Sequence, residues 1–241
     1  MTTRLDVVVP AHDEAERIAA CLEALSTAVT LLHRTRPGTR AHVTVVLDGC
    51  TDDTPALVHA AARGGSATWL DALRTDHVGV GRARALGTAH ALARTGAEDA
   101  AADRHWLAHT DADSRVPTGW LVQHVDALAD GAHLLVGAVV PDPVDLDPVV
   151  FARWQATHPP GAALGHVHGA NLGIRADAYR TVCGFDPVRE HEDVRLVARA
   201  RTLGLRVDAT TVLPVVTSGR FDGRTPGGYA EHLRRTYGDA S

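Results

Sequence analysis

At 241 residues, with 45% hydrophobic and 22% charged side chains, the chain is long enough to bury a sizeable core and ordinary enough in composition to be globular. Its formal net charge of −5, with no basic block, argues against a nucleic-acid partner, which would need a concentrated positive patch. No apolar run approaches the roughly 20 residues of a membrane span, Met1 to Asp6 lack the long apolar stretch of a secretory leader, and three cysteines (Cys21, Cys50, Cys183) without Cys-x-x-Cys spacing fit a reducing, cytoplasmic setting.

Residues 5–9 are a β-rich apolar run closed by Pro10. Asp13 then suits the cap of a helix whose apolar positions Ile18, Leu22, Leu25, Val29 and Leu32 recur at spacings of three and four, ended by Pro37-Gly38. Residues 43–47 read as a second buried strand, closed by Asp48-Gly49, and Thr51 or Asp52 caps a helix running to Arg63 and broken by Gly64-Gly65. A weak strand is expected near residues 67–70. Gly79 and Gly81 precede an Ala-rich helix over 82–94, residues 106–110 form a short strand, Pro117 suits the first turn of a helix reaching Ala129, and 134–140 form another strand. Beyond Pro141 the pattern loosens. It holds a helix over 149–157, a turn-rich polar stretch over 165–172, a short helix over 176–182 and a helix from Glu190 to Leu203 closed by Gly204. Two strands over 207–211 and 212–217, a loop over 220–228 and a last helix over 229–237 complete the chain. The absence of repeats or a clear linker predicts one domain over 1–241, with halves 1–140 and 141–241.

Near-continuous apolar strands alternating with helices predict an α/β fold with a mostly parallel sheet covered on both faces. Ligands of such sheets bind beyond the carboxyl ends of the strands. The conspicuous polar clusters fall there: His12-Asp13-Glu14, Asp48-Gly49 and Asp111-Ala112-Asp113. The last pair carries most of the chemistry. An apolar run ends in two carboxylates spaced i, i+2; where the chain leaves its pleat, strand alternation no longer separates them, and both can face one point. Two carboxylates at one point repel unless a proton or cation lies between them. Hard divalent ions such as Mn²⁺ or Mg²⁺ are held by one or two carboxylates together with substrate phosphates.

Taken in order, these clusters resemble the family 2 glycosyltransferases with the nucleotide-diphospho-sugar transferase (GT-A) fold, from about Asp6 to Gly204. Val7-Val8-Val9-Pro10-Ala11-His12-Asp13-Glu14 is similar to the family's opening strand and Pro-x-x-Asn/Asp-Glu turn. Val45 to Thr54 is similar to its Asp-Asp-Gly-Ser-Thr-Asp-x-Thr segment, and Gly79 to Gly87 to its Gly-x-x-x-Ala-Arg-Asn-x-Gly segment. Asp111-Ala112-Asp113-Ser114 with Pro117, Trp120 and Leu121 resembles its metal motif. Gly169-Ala170-Asn171 through Gly184-Phe185-Asp186 resembles its acceptor-side segment, and Glu192-Asp193-Val194-Arg195-Leu196 its Glu-Asp-x-Asp-Leu. Leu47, Cys50, Leu86 and Arg195 depart from the pattern, and the Gln-x-x-Arg-Trp motif of processive members is missing.

The resemblance implies a GT-A-type sheet with a Rossmann-like nucleotide-binding half and an acceptor half. It implies an inverting, metal-dependent transfer of sugar from a UDP- or GDP-sugar to a hydroxyl acceptor, a small molecule or lipid-linked glycan, with a homodimer left open. Pro10, Ala11, Glu14, Asp48, Arg84, Asp111, Ala112 and Arg220 would bind the nucleotide-sugar. Asp113 and Asp111 would hold Mn²⁺ or Mg²⁺. Asp193 would be the general base, with Glu192 orienting it or touching the acceptor alongside Gly169 and Asn171. His166 and His168 are read as polar surface, with contact to phosphate or metal as the other option. The loop from Thr217, with Arg220 and Arg224, has two readings: closure over the diphosphate, with Arg220 gripping it bidentately, or an ordinary surface loop.

Competing readings have distinct signatures. A nucleotidyltransferase would want a Gly-rich, Arg- or Lys-bearing loop after the first strand, where Ala11-His12-Asp13-Glu14 stands instead. Gly79-Val80-Gly81 invites a dinucleotide reading, but the sixth place of that fingerprint is Arg84. A non-catalytic sugar- or nucleotide-binding module would be indifferent to loss of Asp193.

Overall fold

The computed structural model describes residues 2–64, 68–94, 99–159, 161, 166–223 and 228–238. Its strands are β1 (Thr3–Ala11), β2 (Thr39–Asp48), β3 (Leu70–Thr75), β4 (His105–His109), β5 (Leu134–Pro141), β6 (Leu172–Arg175) and β7 (Val207–Thr217). They form one sheet in the order β3-β2-β1-β4-β6-β5-β7. β1 pairs in parallel with β2 and β4, β2 with β3, and β5 with β7, while β6 runs antiparallel to both β4 and β5. Every strand except β6 therefore points the same way, and their carboxyl ends share one rim.

The helices are α1 (Ile18–Thr35), α2 (Thr54–Arg63), α3 (Val80–Ala93), α4 (Trp120–Ala129), α5 (Pro148–Thr157), α6 (Ala176–Thr181), α7 (Glu192–Thr202) and α8 (Tyr229–Tyr237). On one face of the sheet Leu5, Val7 and Val9 pack with Ile18, Leu22 and Leu25 of α1 and with Trp120 and Leu121 of α4. On the other, Leu107, Leu172 and Ile174 pack with Tyr179 of α6 and with Leu196 and Val197 of α7. α3 lies against Val8 and Val46 through Ala83. A Cβ on its Gly87 would stand 2.5 Å from Val8 Cγ1 and 2.6 Å from Val46 Cγ2, so glycine sets how closely that helix approaches the sheet. Among the described residues no helix is long and apolar enough to cross a membrane.

Several local expectations change. Asp13 does not cap α1, whose first turn begins at Ile18 behind an uncapped Arg17. With φ +51, Asp13 turns its carboxylate to the Thr51 and Asp52 amides, at 2.7 and 3.2 Å, and joins two neighbouring loops. The strand expected near 67–70 is β3, displaced to Leu70–Thr75; residues 65–67 lie outside the described set. β6 begins at the last residue of the stretch read as turns and runs through residues assigned to no element, because four residues are too few to show a period. The two strands expected over 207–217 are one, β7, interrupted where its register with β5 shifts between Gly137 and Val139. Leu213 at φ +58 and Pro214, which has no amide proton to donate, account for the break.

Candidate active site

The polar clusters do converge. A cleft of about 980 Å³ at the carboxyl rim is lined by Pro10, Ala11, Glu14 and Asp48, by Asp111, Ala112 and Asp113, and by Gly169, Glu192, Asp193 and Arg220. β4 stops at His109, and the chain then turns back on itself, the Ser114 amide donating to the Asp111 carbonyl at 3.1 Å. Both carboxylates of this turn face the cleft. Its far side is tied to β7: Ser114 Oγ donates to Thr217 Oγ1 at 2.8 Å. The last strand thereby delivers Thr217, Ser218 and Arg220 to the centre.

Asp113 is nearly enclosed and close to Asp111. Burial, then the neighbouring Asp111 charge, push its carboxyl up to about 6, against the pull of Arg220. The Arg220 guanidinium lies 3.2 Å from Asp113 Oδ2 and is forked onto Glu14, at 2.9 Å to Oε2 and 2.5 Å to Oε1. Backbone contacts hold this arginine's segment: the Gly219 amide donates to Asp145 Oδ2 at 2.8 Å, and Asp145 Oδ1 accepts from Arg17 at 2.9 Å.

Arg84 is not at the surface. It is 2% exposed, bonded to Asp111 Oδ1 through Nη2 and to Glu192 Oε1 through Nε at 3.0 Å. It joins the turn after β4 to the start of α7 from below, and its Nη1 is buried without a hydrogen-bond partner. Glycines set the close packing around it and around the start of α7. A Cβ on Gly169 would come within 2.5 Å of Arg84 Nη2, and one on Gly81 within 2.6 Å of the Asp186 and Val188 carbonyl oxygens.

At α7 the two neighbouring acids part. Glu192 turns inward to Arg84 and is 4% exposed, whereas Asp193 stays half-buried on the cleft wall. Asp193 accepts from the Val194 amide at 2.7 Å and from the Gly169 amide. Burial raises both carboxyls, Arg84 and the amide bonds opposing it only in part.

Two predicted residues are committed elsewhere. Asp48 lines the cleft, but its oxygens accept from the Val78 amide at 2.7 Å, Thr75 Oγ1 at 3.0 Å and the Gly79 amide at 2.9 Å, organising the loop between β3 and α3. Asn171, 1% exposed, lies outside the cleft. It sits over Gly137, accepts from Trp120 Nε1 at 2.8 Å and donates to the Ala138 carbonyl at 2.8 Å, pinning β6 to β5. His166 and His168 belong to a wall of the cleft with Trp154, His158, Tyr229 and His232. Burial lowers His168 to about 4, so its ring is neutral. Of this wall the sequence singled out only His166 and His168. Arg224 lies outside the described residues.

No three His, Cys, Asp or Glu side chains among the described residues gather as a closed metal site. The donor set at the turn is two carboxylates and no soft ligand, open to the cleft. That fits a hard divalent ion completed by phosphate oxygens rather than a self-contained protein cage.

The sequence profile of glycosyl transferase family 2 matches residues 6–180, well over half the chain. The chain belongs to glycosyl transferase family 2. The match takes in the turn at Asp111 and Arg84 and ends before Glu192 and Asp193. Among solved structures, this family 2 chain is similar to the mannosyltransferase PcManGT from Pyrobaculum calidifontis, in complex with GDP-Man and Mn²⁺. That likeness has 20% identity over 97% of this chain and 69% of the other, with a TM-score of 0.65. It is also similar to glucosyl-3-phosphoglycerate synthase from Mycobacterium tuberculosis, in complex with Mn²⁺, UDP and glucosyl-3-phosphoglycerate. Here the identity is 18% over 98% and 77% of the two chains, with a TM-score of 0.58. These likenesses show a shared GT-A fold. No curated protein sequence matches the chain.

Proposed function

We propose that this chain is an inverting, divalent-metal-dependent glycosyltransferase that moves a sugar from a nucleotide-diphospho-sugar to a hydroxyl acceptor. The observation that carries the reading is the placement of Asp111 and Asp113 on one turn in the cleft, with Asp193 across from them and Arg84 beneath. Asp113, with Asp111, would hold Mn²⁺ or Mg²⁺, which stabilises the negative charge on a departing diphosphate. The GDP-Man, UDP and Mn²⁺ named for the two similar structures support a nucleotide donor and a divalent ion.

The chain's own groups supply the rest. Pro10 and Ala11 border the base and ribose end, and Asp48 sets the loop that closes it. Arg220 reaches the diphosphate. Asp193 takes the acceptor hydroxyl's proton as the diphosphate leaves from the opposite face; a carboxyl raised by burial is better matched to that task than a solvated one. Glu192, held by Arg84, orients the start of α7. Gly169 contributes its amide to Asp193 and its lack of a side chain to Arg84.

Calorimetry with UDP- and GDP-sugars, with and without Mn²⁺, and a donor-hydrolysis assay test this. Metal-dependent binding that disappears in Asp113→Ala is expected, as is loss of turnover with retained donor binding in Asp193→Asn. Undiminished turnover in Asp193→Asn would reject the base. A nucleotidyltransferase would instead release pyrophosphate from a nucleoside triphosphate, and a binding module would turn over no donor at all.

A further inference from the structure

Resting on the proposed metal-dependent reading, the geometry points to Arg220 as an exchangeable counter-cation: its guanidinium and the divalent metal compete for Asp113, so the metal enters by displacing the arginine, which is then free to pair with the donor diphosphate. Three observations carry this. First, the guanidinium is bonded to the carboxylate assigned to the metal, 3.2 Å from Asp113 Oδ2. A cation bound at that oxygen and a guanidinium at that distance exclude each other by charge and by volume. Second, Arg220 has somewhere to stay. Its fork onto Glu14 uses both carboxylate oxygens, and both partners are mostly buried, with side-chain exposures of 22% and 7%. Third, the backbone is anchored independently of the side chain's ion pairs. The Gly219 amide is held by Asp145, and a Cβ on Gly219 would fall 2.9 Å from Leu146 Cγ and 3.0 Å from the Asp142 carbonyl oxygen. The exchange is therefore a side-chain swing on a fixed base.

The surrounding charges favour the swap over simple loss of the arginine. Glu14, Asp111, Asp113 and Asp145 face Arg17 and Arg220 around this corner of the cleft, and Arg84 is already committed to Asp111 and Glu192. With acids in excess, a divalent ion at Asp113 lets Arg220 leave without exposing an uncompensated carboxylate. A nucleoside diphosphate then offers it a bidentate partner.

The inference predicts opposite signs for two affinities in one variant. Mn²⁺ alone, titrated into the full chain and read from the paramagnetic resonance signal of the free ion, should bind about tenfold tighter to Arg220→Met than to the unaltered protein. In the presence of Mn²⁺, UDP and GDP, followed by calorimetry, should bind several-fold more weakly to Arg220→Met. Arg220→Lys keeps a charge but loses the two-nitrogen fork on Glu14, so it should fall between the two for metal alone. It also provides a folded comparison if the methionine variant is unstable. Equal or weaker Mn²⁺ binding in both variants overturns the competition. Asp113→Asn separates this from the broader reading. If that substitution leaves Mn²⁺ affinity unchanged in the unaltered background, the metal is not at Asp113 and the proposed function itself fails.

Discussion

Arg84→Met removes the cation that joins the two sides of the cleft and keeps most of its volume. Arg84 is 2% exposed, and of its two partners Glu192 is nearly as buried while the Asp111 side chain is 34% exposed. Removing one member of a buried pair costs about 3–5 kcal/mol, because it strands the other charge. Asp111 can relax towards water and Glu192 cannot, so the loss belongs at the lower end, about 3 kcal/mol. In a chain of this length each kcal/mol moves Tm by about 2–4 °C, which gives a fall of about 6–12 °C. The pH dependence adds a second signature. The Glu192 carboxyl is already above its ordinary value through burial, held back by Arg84. Without Arg84 it rises further and is protonated when folded at a pH where the unaltered protein still carries the ion pair. The stability difference is therefore largest at alkaline pH and shrinks as pH falls through these two raised values. Thermal unfolding followed by circular dichroism from pH 8.5 to pH 5, with both proteins side by side, reads it directly. A Tm change under 2 °C at pH 8, or a deficit that does not depend on pH, would refute the idea that Arg84 is the electrostatic link.

Because Asp113 sits at about 6, Mn²⁺-dependent binding of UDP or GDP should be level above pH 7 and weaken about tenfold per pH unit below that value; calorimetry at fixed ionic strength that finds no change down to pH 5 removes Asp113 from the metal site. Gly81→Ala puts a methyl 2.6 Å from two backbone oxygens, an overpacking cost of about 1–3 kcal/mol against the roughly 1 kcal/mol that alanine gains in a helix, so urea unfolding should show net destabilisation and turnover should fall as the segment before Glu192 moves away; a stabilised, fully active variant contradicts the packing. At the opposite end of the sheet, burial would raise Asp6, but His105 at 2.7 Å and Arg4 at 2.8 Å outweigh it and hold the carboxyl below its usual range. Asp6 then contributes stability that is present above about pH 4, the ordinary carboxylate value, and is lost as pH falls through its lowered one; acid unfolding of Asp6→Asn should show a shallower loss below pH 4 than the unaltered chain, and an identical acid limb would exclude the pairing.

Much of this arrangement could be read from the string of residues. The strands after which Pro10, Asp48 and Asp111 stand are continuous apolar runs, and such runs belong to a parallel sheet, whose rim collects whatever polar residues follow. That logic needs only local pattern. What escaped it depends on partners far along the chain. From the sequence Arg84 reads as reaching donor phosphate or sugar from a helix start, because nothing near it shows that Gly169 clears space for its guanidinium or that Asp111 and Glu192 both claim it. The resemblance assigns Asn171 to the acceptor; here the absence of a side chain at Gly137, more than thirty residues earlier, lets it fill the sheet. Asp13 and Asp48 illustrate a third case. Asp13 reads as a helix cap and Asp48 as a nucleotide contact, whereas the structure gives both carboxylates to amides of neighbouring loops.

The relation between Glu192 and Asp193 shows how geometry can separate residues that sequence leaves equivalent. Adjacent positions in a helix are turned about 100° from one another, so two acids in the first turn cannot address the same partner. The N-terminal end of α7 abuts Gly81 and Arg84, and that contact claims the side chain facing it, which is Glu192. Asp193 is thereby rotated onto the cleft wall, where the Gly169 and Val194 amides fix its direction. A base must be able to lose its hydrogen-bonding partner to a substrate hydroxyl, and a carboxylate locked to a buried guanidinium is poorly placed to do so. Glu192 gives Arg84 a reason to stay, Arg84 in turn holds Asp111, and Asp193 is left on the cleft wall as the acid of α7 that the proposed mechanism uses as base.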